Sequence, residues 1–248
     1  MRLIEKKYGL IGKNIAYSFS KGYFTDKFVK NNLTNCSYHN FDIQEIFELK
    51  KILKKNRDLK GLNVTIPYKE AIIPYLDQLS YDILEIGAVN VIRFTAKRKL
   101  KGYNTDHYGF RKALQPLLQP HHKKALILGT GGASKGVAFA LKKLDIPFTF
   151  VSRVASKNAL DYESIDATVF EEYQIIINCT PLGTSPKTDE CPSIPYENFS
   201  PQHLAFDLIY NPAETLFLQK ARENGALTEN GLRMLHFQAE KAWKIWNK

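Results

Sequence analysis

The first hundred residues alternate between short apolar runs and longer segments with helical spacing. YGLIG (8–12), a helical pattern over 20–33 and SYHNFDI (37–43) predict a strand, a helix and a strand. A predicted helix over 44–56, a strand over 60–66 and a helix from about Pro67 follow; proline suits a first helical turn because it has no N–H to pair. Two short strands, VNVIRF (89–94) and KLKGYN (99–104), are separated by a polar turn. This alternation predicts a mostly parallel sheet with helices on both faces.

A second series of the same kind begins after a predicted helix over 105–118. Buried strands are predicted for the apolar runs at 123–129, 148–153, 174–180 and 203–208. An irregular loop is predicted over 183–201, which contains four prolines, and an amphipathic helix over 231–246. The two series predict an α/β protein with two domains, 1–105 and 106–230.

Composition favours an ordinary globular protein: of 248 residues, 44% are hydrophobic and 24% charged. Neither a signal peptide nor a membrane span is expected, because no apolar run is long enough. The three cysteines are scattered without metal-ligand spacing, so we expect no metal site, a reducing compartment and a cytoplasmic location.

The net charge of +10 raises the possibility of nucleic-acid binding, but the densest basic group, over 50–57, has helical spacing and is interpreted as a solvated face. A basic surface also attracts small anions.

The sharpest local motif is ALILGTGGASKGVAFAL (125–141), an apolar strand that meets glycines and continues into a helix. Gly129 permits the tight turn, Gly131 lets a pyrophosphate approach the backbone, and the helix start offers unpaired N–H groups. The third position of this dinucleotide-binding fingerprint is Ser134 instead of glycine, which still allows close packing. A plain strand-to-helix turn is the alternative interpretation.

The end of the next strand indicates which dinucleotide is bound. An NAD site usually places Asp or Glu there to accept from the ribose hydroxyls, whereas this chain has Ser152 and Arg153, with Lys157 nearby. Cations at this position suit the 2′-phosphate of NADP. The alternative is ordinary surface charge.

Two polar segments lie where strands of the first series end. They are GLNVTIPYK (61–69) and GYNTD (102–106), and each carries one group able to assist reaction at a carbonyl, Lys69 and Asp106. Taken singly, Lys69 is equally compatible with a surface lysine, and Asp106 with a helix N-cap.

Together these segments resemble the shikimate dehydrogenase family, in order and spacing, over nearly the whole chain. GLNVTIPYK and GYNTD are similar to its G-x-N-V-T-x-P-x-K and G-x-N-T-D motifs, and YSFS (17–20) to its S-x-S substrate clamp. GAVNVI (87–92), INCTPLG (177–183), DLIYNPAET (207–215) and GLRMLHFQAEKAWKIW (231–246) resemble further family segments. The departures are Tyr17 where histidine is frequent, His107 where glycine is common, and Ser152 in place of asparagine.

The resemblance implies NADPH-dependent, reversible reduction of 3-dehydroshikimate to shikimate, with Lys69 and Asp106 as the catalytic pair. It implies a substrate domain (1–105) completed by a returning C-terminal helix (231–248), and a Rossmann NADP domain (106–230). The implied substrate-binding residues are Ser18, Ser20, Thr65, Asn90, Asp106, Tyr210 and Gln238. The implied cofactor-binding residues are Gly129, Thr130, Gly131, Gly132, Ala133, Ser152, Arg153, Lys157, Leu208 and Gly231.

Two other functions stay open at this point. A family member that uses quinate, with NAD or NADP, differs from the main hypothesis in the room around its substrate; a non-catalytic NADP-dependent binding or regulatory module would have lost turnover. The presence of both Lys69 and Asp106 favours an enzyme. A small-molecule substrate is the expected partner, and the chain is expected to be a monomer or a homodimer.

Overall fold

The computed structural model describes residues 5–16 and 18–248, and it divides into two compact units. The first unit contains residues up to Thr105 together with Ala239–Lys248, and the second contains Asp106–Gln238. Tyr17, one of the departures from the family pattern, lies outside the described residues.

The first unit is built on a sheet with strand order β2-β1-β3-β5-β6-β4 among the described residues. Its strands are β1 (Lys6–Gly12), β2 (Cys36–Asp42), β3 (Leu59–Val64), β4 (Gln78–Leu79), β5 (Val91–Phe94) and β6 (Leu100–Tyr103). Its helices are α1 (Phe19–Lys30), α2 (Leu49–Lys55), α3 (Tyr68–Ala71) and α4 (Ile83–Ile86), with 3₁₀ turns at Ile46–Glu48 and Ile73–Tyr75.

This sheet is mostly parallel, as predicted, except around β5. Strands β1 and β2, β1 and β3, and β4 and β6 pair in parallel, whereas β5 is antiparallel to both β3 and β6. The short turn between β5 and β6, closed by a hydrogen bond from Thr95 N to Lys99 O (2.9 Å), accounts for the antiparallel pairing of these two strands. Such a turn joins antiparallel strands, since a parallel crossover needs a dozen residues or more.

Aromatic side chains fill one face of the first sheet. Phe24 and Phe28, one helical turn apart on α1, pack with Tyr8, Tyr38 and Trp246. The other face is a separate aliphatic cluster, which includes buried side chains of β3, α3 and α4. The sheet is therefore covered on both sides, which fixes the positions of its strand ends.

The second unit carries a parallel sheet with order β12-β11-β10-β7-β8-β9 among the described residues. Its strands are β7 (Ala125–Leu128), β8 (Phe148–Ser152), β9 (Ala159–Asp161), β10 (Ile175–Asn178), β11 (Leu204–Asp207) and β12 (Leu227–Glu229). Its helices are α5 (Asp106–Leu114), α6 (Gly132–Lys142), α7 (Ala167–Glu172) and α8 (Leu216–Glu223), with 3₁₀ turns at Gln115–Leu117 and Tyr196–Asn198. Strand order reverses between β7 and β10, the arrangement of a doubly wound dinucleotide-binding fold.

The last helix, α9 (Leu232–Trp246), contributes to both units. Met234, near its start, belongs to the core of the second unit, which includes Phe110. From Ala239 onward the helix belongs to the first unit, where the Trp246 indole donates to Ile92 O (3.0 Å). The sequence predicts that the first unit takes up the chain from residue 231; in the structure the first two turns of α9 pack with the second core, and the first unit takes it up at Ala239.

The basic group over 50–57 is a solvated surface. All five of its lysine and arginine side chains are exposed, on α2 and just beyond it. No helix in the described part of the chain combines the length and apolar character needed to cross a membrane.

Candidate functional site

The glycine turn of the second unit begins where β7 ends. Gly129 has φ +105°, in the left-handed region that favours glycine, and Gly131 caps α6 with open space where a Cβ would stand. Thr130 and Gly131 are exposed, whereas Gly132 and Ala133 are half-buried. Ser134 is fully buried, and its hydroxyl donates to Gly131 O (2.6 Å). The turn therefore presents free backbone to an incoming anion while the helix packs closely below it.

The predicted 2′-phosphate residues lie in one exposed loop after β8. Arg153 and Lys157 are both exposed, and Ser152 is half-buried with its hydroxyl donating to Val154 O. Because β7 and β8 are parallel neighbours, this loop and the glycine turn lie at the same edge of the sheet. The structure thus brings the predicted phosphate-binding groups together.

The loop after β11 carries two further predicted residues, Leu208 and Tyr210, both half-buried. Gly231 N donates to Ile209 O (2.9 Å), and a Cβ on Gly231 would lie 2.1 Å from Leu208 O. Gly231 is therefore needed for the close packing of this loop, which is a structural role beside its predicted cofactor contact.

In the first unit, the segment after β3 turns sharply into the short helix α3. Thr65 N donates to Ile11 O (2.9 Å), and Thr65 O accepts from Tyr68 N (2.9 Å). Pro67 is the N-cap of α3, so the helix begins at Tyr68, one residue after the proline that was expected in its first turn.

The half-buried Lys69 lies on α3 beside the segment that carries Asn90. Lys69 O accepts from Val89 N (2.7 Å), and Asn90 O accepts from Val64 N (2.8 Å). Thr65, Lys69 and Asn90 therefore occupy one end of the β3–β5 region of the sheet.

The side chain of Asn90 is tied to Thr105, the last residue before Asp106. Asn90 Oδ1 accepts from Thr105 N (2.7 Å), and Asn90 Nδ2 donates to Thr105 Oγ1 (3.1 Å). Asp106 itself is buried and is the first residue of α5, so Thr105 and not Asp106 precedes the helix.

The predicted substrate clamp lies at the start of α1. Ser18 caps this helix, and its hydroxyl accepts from Ser20 N (3.2 Å). Both serines are half-buried. Gln238, the remaining predicted substrate residue, is buried on α9, where its Nε2 donates to Leu235 O (3.0 Å).

Sequence reasoning missed a buried polar pair beneath this clamp. The Tyr38 hydroxyl donates to Asn63 Oδ1 (2.7 Å) and also contacts the Ser20 hydroxyl. Burial raises the pKa of Tyr38, so the hydroxyl stays protonated. An amide inside the apolar run GLNV was the available sign that Asn63 has a polar partner.

The chemistry that the groups of the first unit allow is proton transfer and hydrogen bonding. In the described part of the chain no group of three or more His, Cys, Asp or Glu side chains is placed to hold a metal. The first unit offers hydroxyl, amide and ammonium groups, and the second offers a phosphate-binding turn.

Comparison with protein families identifies the first unit. Residues 10–92 match the model described as the shikimate dehydrogenase substrate binding domain. This range covers the clamp, the turn after β3 and the Asn90 segment.

Whole-chain comparisons extend the similarity through both units. The chain is 40% identical, over 96% of its length and 95% of the relative, to the NADP(+) shikimate dehydrogenase of Clostridium botulinum. The crystal structure of shikimate dehydrogenase from Aquifex aeolicus is similar with a TM-score of 0.87 at 34% identity, covering 100% of this chain and 94% of that one. The Thermus thermophilus enzyme in complex with NADP(H) and shikimate gives 0.85 at 30% identity, covering 97% and 92%.

Proposed function

The chain belongs to the shikimate dehydrogenase family, and on that premise we propose that it catalyses the reversible NADPH-dependent reduction of 3-dehydroshikimate to shikimate. The observation that supports this most strongly is the coexistence, in one chain, of the substrate-domain match and the phosphate-binding turn followed by Arg153. The reaction serves the biosynthesis of chorismate and the aromatic amino acids.

The second unit fits NADP by its own geometry. Open space at Gly131 admits the pyrophosphate to the start of α6, and the exposed Arg153 and Lys157 supply cations for the 2′-phosphate. We assign the remaining contacts to Thr130, Ala133, Ser152 and Leu208, with Gly231 packing behind Leu208. Bound NADPH supplies the hydride, and the protein supplies its orientation.

We assign to Lys69 the transfer of a proton to the substrate oxygen. In the reductive direction the C3 carbonyl oxygen gains negative charge, and an ammonium group beside it stabilises that charge and delivers or relays a proton. Asp106 is assigned the orientation of the lysine and a hydrogen bond to the neighbouring hydroxyl. Its immediate chain neighbour Thr105 is held by Asn90, which limits the freedom of the backbone there.

The other polar groups are assigned to the substrate. Ser18 and Ser20 bind the carboxylate, with Tyr210 assisting. Thr65, Asn90 and Gln238 bind ring hydroxyls. A polyhydroxylated ring needs several fixed donors and acceptors, and a site built to hydrogen-bond them rejects analogues that lack them.

Use of quinate with NAD is the nearest alternative, because a quinate dehydrogenase from Corynebacterium glutamicum, solved with NAD, has a TM-score of 0.86 at 25% identity. The cations after β8 favour NADP over NAD. The deciding experiment is to follow reduction of NADP and of NAD with shikimate and with quinate. We expect the highest kcat/KM for shikimate with NADP; a higher value for quinate with NAD would overturn the proposal.

We place the enzyme in the cytoplasm, as a monomer or homodimer. The three cysteines are half-buried and none of them is in a disulfide, which suits a reducing compartment. Fractionation of cells that produce the chain would test the location, and sedimentation of the purified protein would test the state of association.

A further inference from the structure

Two fully buried polar side chains lie at the ends of neighbouring strands in the second unit. Asn178 ends β10 and Asp207 ends β11; they are directly paired in register, and each is 0% exposed. None of the cofactor contacts assigned above uses either side chain. Buried amides and carboxylates are costly unless hydrogen-bonded, so their partners indicate what they do.

Three donors converge on the Asp207 carboxylate. Oδ1 accepts from Asn178 Nδ2 (3.1 Å) and from Ile209 N (2.9 Å), and Oδ2 accepts from Thr215 Oγ1 (2.6 Å). Thr215 caps α8, so the carboxylate joins the loop after β11 to the start of the next helix. The conformation of the loop that carries Leu208 and Tyr210 thus depends on Asp207.

Asn178 holds the neighbouring loop in the same way. Its Oδ1 accepts from Thr180 N (2.9 Å) and from Thr180 Oγ1 (2.7 Å). Thr180 in turn borders the glycine turn, since a Cβ on Gly129 would lie 3.2 Å from Thr180 Cγ2. The two side chains therefore shape both loops on one side of the glycine turn, while Arg153 lies on the other side, after β8.

This arrangement divides the dinucleotide site. Arg153 and Lys157 mark the side that takes the 2′-phosphate of the adenosine half, so the nicotinamide half extends over the ends of β10 and β11. We propose, on the basis of the function proposed above, that Asn178 and Asp207 are positioning residues for the nicotinamide half of NADP. They act through the loops at Thr180 and Leu208 without touching the cofactor.

The test compares binding of whole NADP with binding of adenosine 2′,5′-bisphosphate, which lacks the nicotinamide half. In Asp207→Ala we expect the Kd for NADP to rise about tenfold or more, because hydrogen bonds to a charged group are lost. The Kd for adenosine 2′,5′-bisphosphate should stay within about twofold, since its contacts lie on the other side of the turn. Isothermal titration calorimetry measures both ligands on the same preparation.

Two further variants keep the test decisive. Asp207→Asn preserves the shape of the side chain and should show a smaller but still selective loss of NADP binding, even if Asp207→Ala folds poorly. Asp166→Ala removes a different carboxylate of the same unit, one that caps α7 by accepting from Val169 N (3.0 Å), and should leave both Kd values unchanged.

Equal losses for the two ligands, or no loss for either, would overturn the positioning role. Failure of the unsubstituted protein to bind NADP or to oxidise shikimate would instead overturn the proposed function. The two failures are thus separable in a single set of measurements.

Discussion

Replacing Asp207 with asparagine should make the free energy of unfolding less dependent on pH, because it removes a buried carboxyl group whose ionisation destabilises the folded protein. Burial raises the pKa of this carboxyl from an ordinary value of 3.8 to about 6, although the bonds from Thr215, Ile209 and Asn178 oppose the change. The folded protein therefore binds this proton more tightly than the unfolded chain does. Stability from this group is fully present below pH 3.8 and is lost as the pH rises through 6.

The size of the effect follows from the two pKa values. A difference of roughly 2 units, at about 1.4 kcal/mol each, lowers the free energy of unfolding by about 3 kcal/mol once Asp207 is ionised. The asparagine variant has no proton to lose. The free energy of unfolding of the variant, minus that of the wild type, should therefore rise by roughly 2–3 kcal/mol between about pH 4 and pH 7.

Urea unfolding followed by far-UV circular dichroism across this pH range measures the difference directly. Asp161→Asn is the matched control, because hydrogen bonds from Ser164 lower the pKa of Asp161 and its substitution should change the pH dependence in the opposite direction. Parallel pH profiles for Asp207→Asn and wild type would refute the reasoning.

Three further substitutions test the remaining assignments. Lys69→Ala should lower kcat by about 10²–10⁴-fold with a smaller change in KM for shikimate, and near-normal turnover in steady-state assays would remove Lys69 from the mechanism. Arg153→Ala should weaken NADP binding by about 10–100-fold and NAD binding far less, whereas equal losses by calorimetry would contradict a 2′-phosphate contact. Gly61→Ala should destabilise the first unit by about 1–3 kcal/mol, because the new Cβ would lie 2.2 Å from Trp246 Cδ1; an unchanged urea midpoint in tryptophan fluorescence would contradict this packing.

Apolar runs in the sequence were sufficient to predict the well-buried strands of the second unit. The strands β7, β10 and β11 are wholly buried, and in the sequence they are short apolar runs of the length that strands have. Strands β9 and β12 were not predicted, because each has three residues and none of them is buried. Such edge strands take their pairing from the sheet and not from their own pattern.

The candidate site was predicted as separate motifs, and the hydrogen bonds that join its parts were not predicted. The glycine spacing and the cations after β8 are local features, so a short stretch of the sequence is sufficient to find them. The contact between Tyr38 and Asn63 joins residues 25 apart and depends on the strand order, in which β2 and β3 lie on either side of β1. The same is true of Asn178 and Asp207, which meet only because β10 and β11 are paired in register. Strand order is a property of the folded sheet, and local patterns do not contain it.

The division of the chain also sets the order in which its parts can fold during synthesis. The second unit is one continuous stretch, whereas the first needs residues 239–248, which the ribosome adds only after the whole of the second unit. Until then the rings of Tyr8, Phe24 and Tyr38 lack Trp246, their partner from α9. A nascent chain therefore completes its nucleotide-binding half first. During this interval the other half exposes an aromatic surface, and a chaperone bound there would protect it from aggregation.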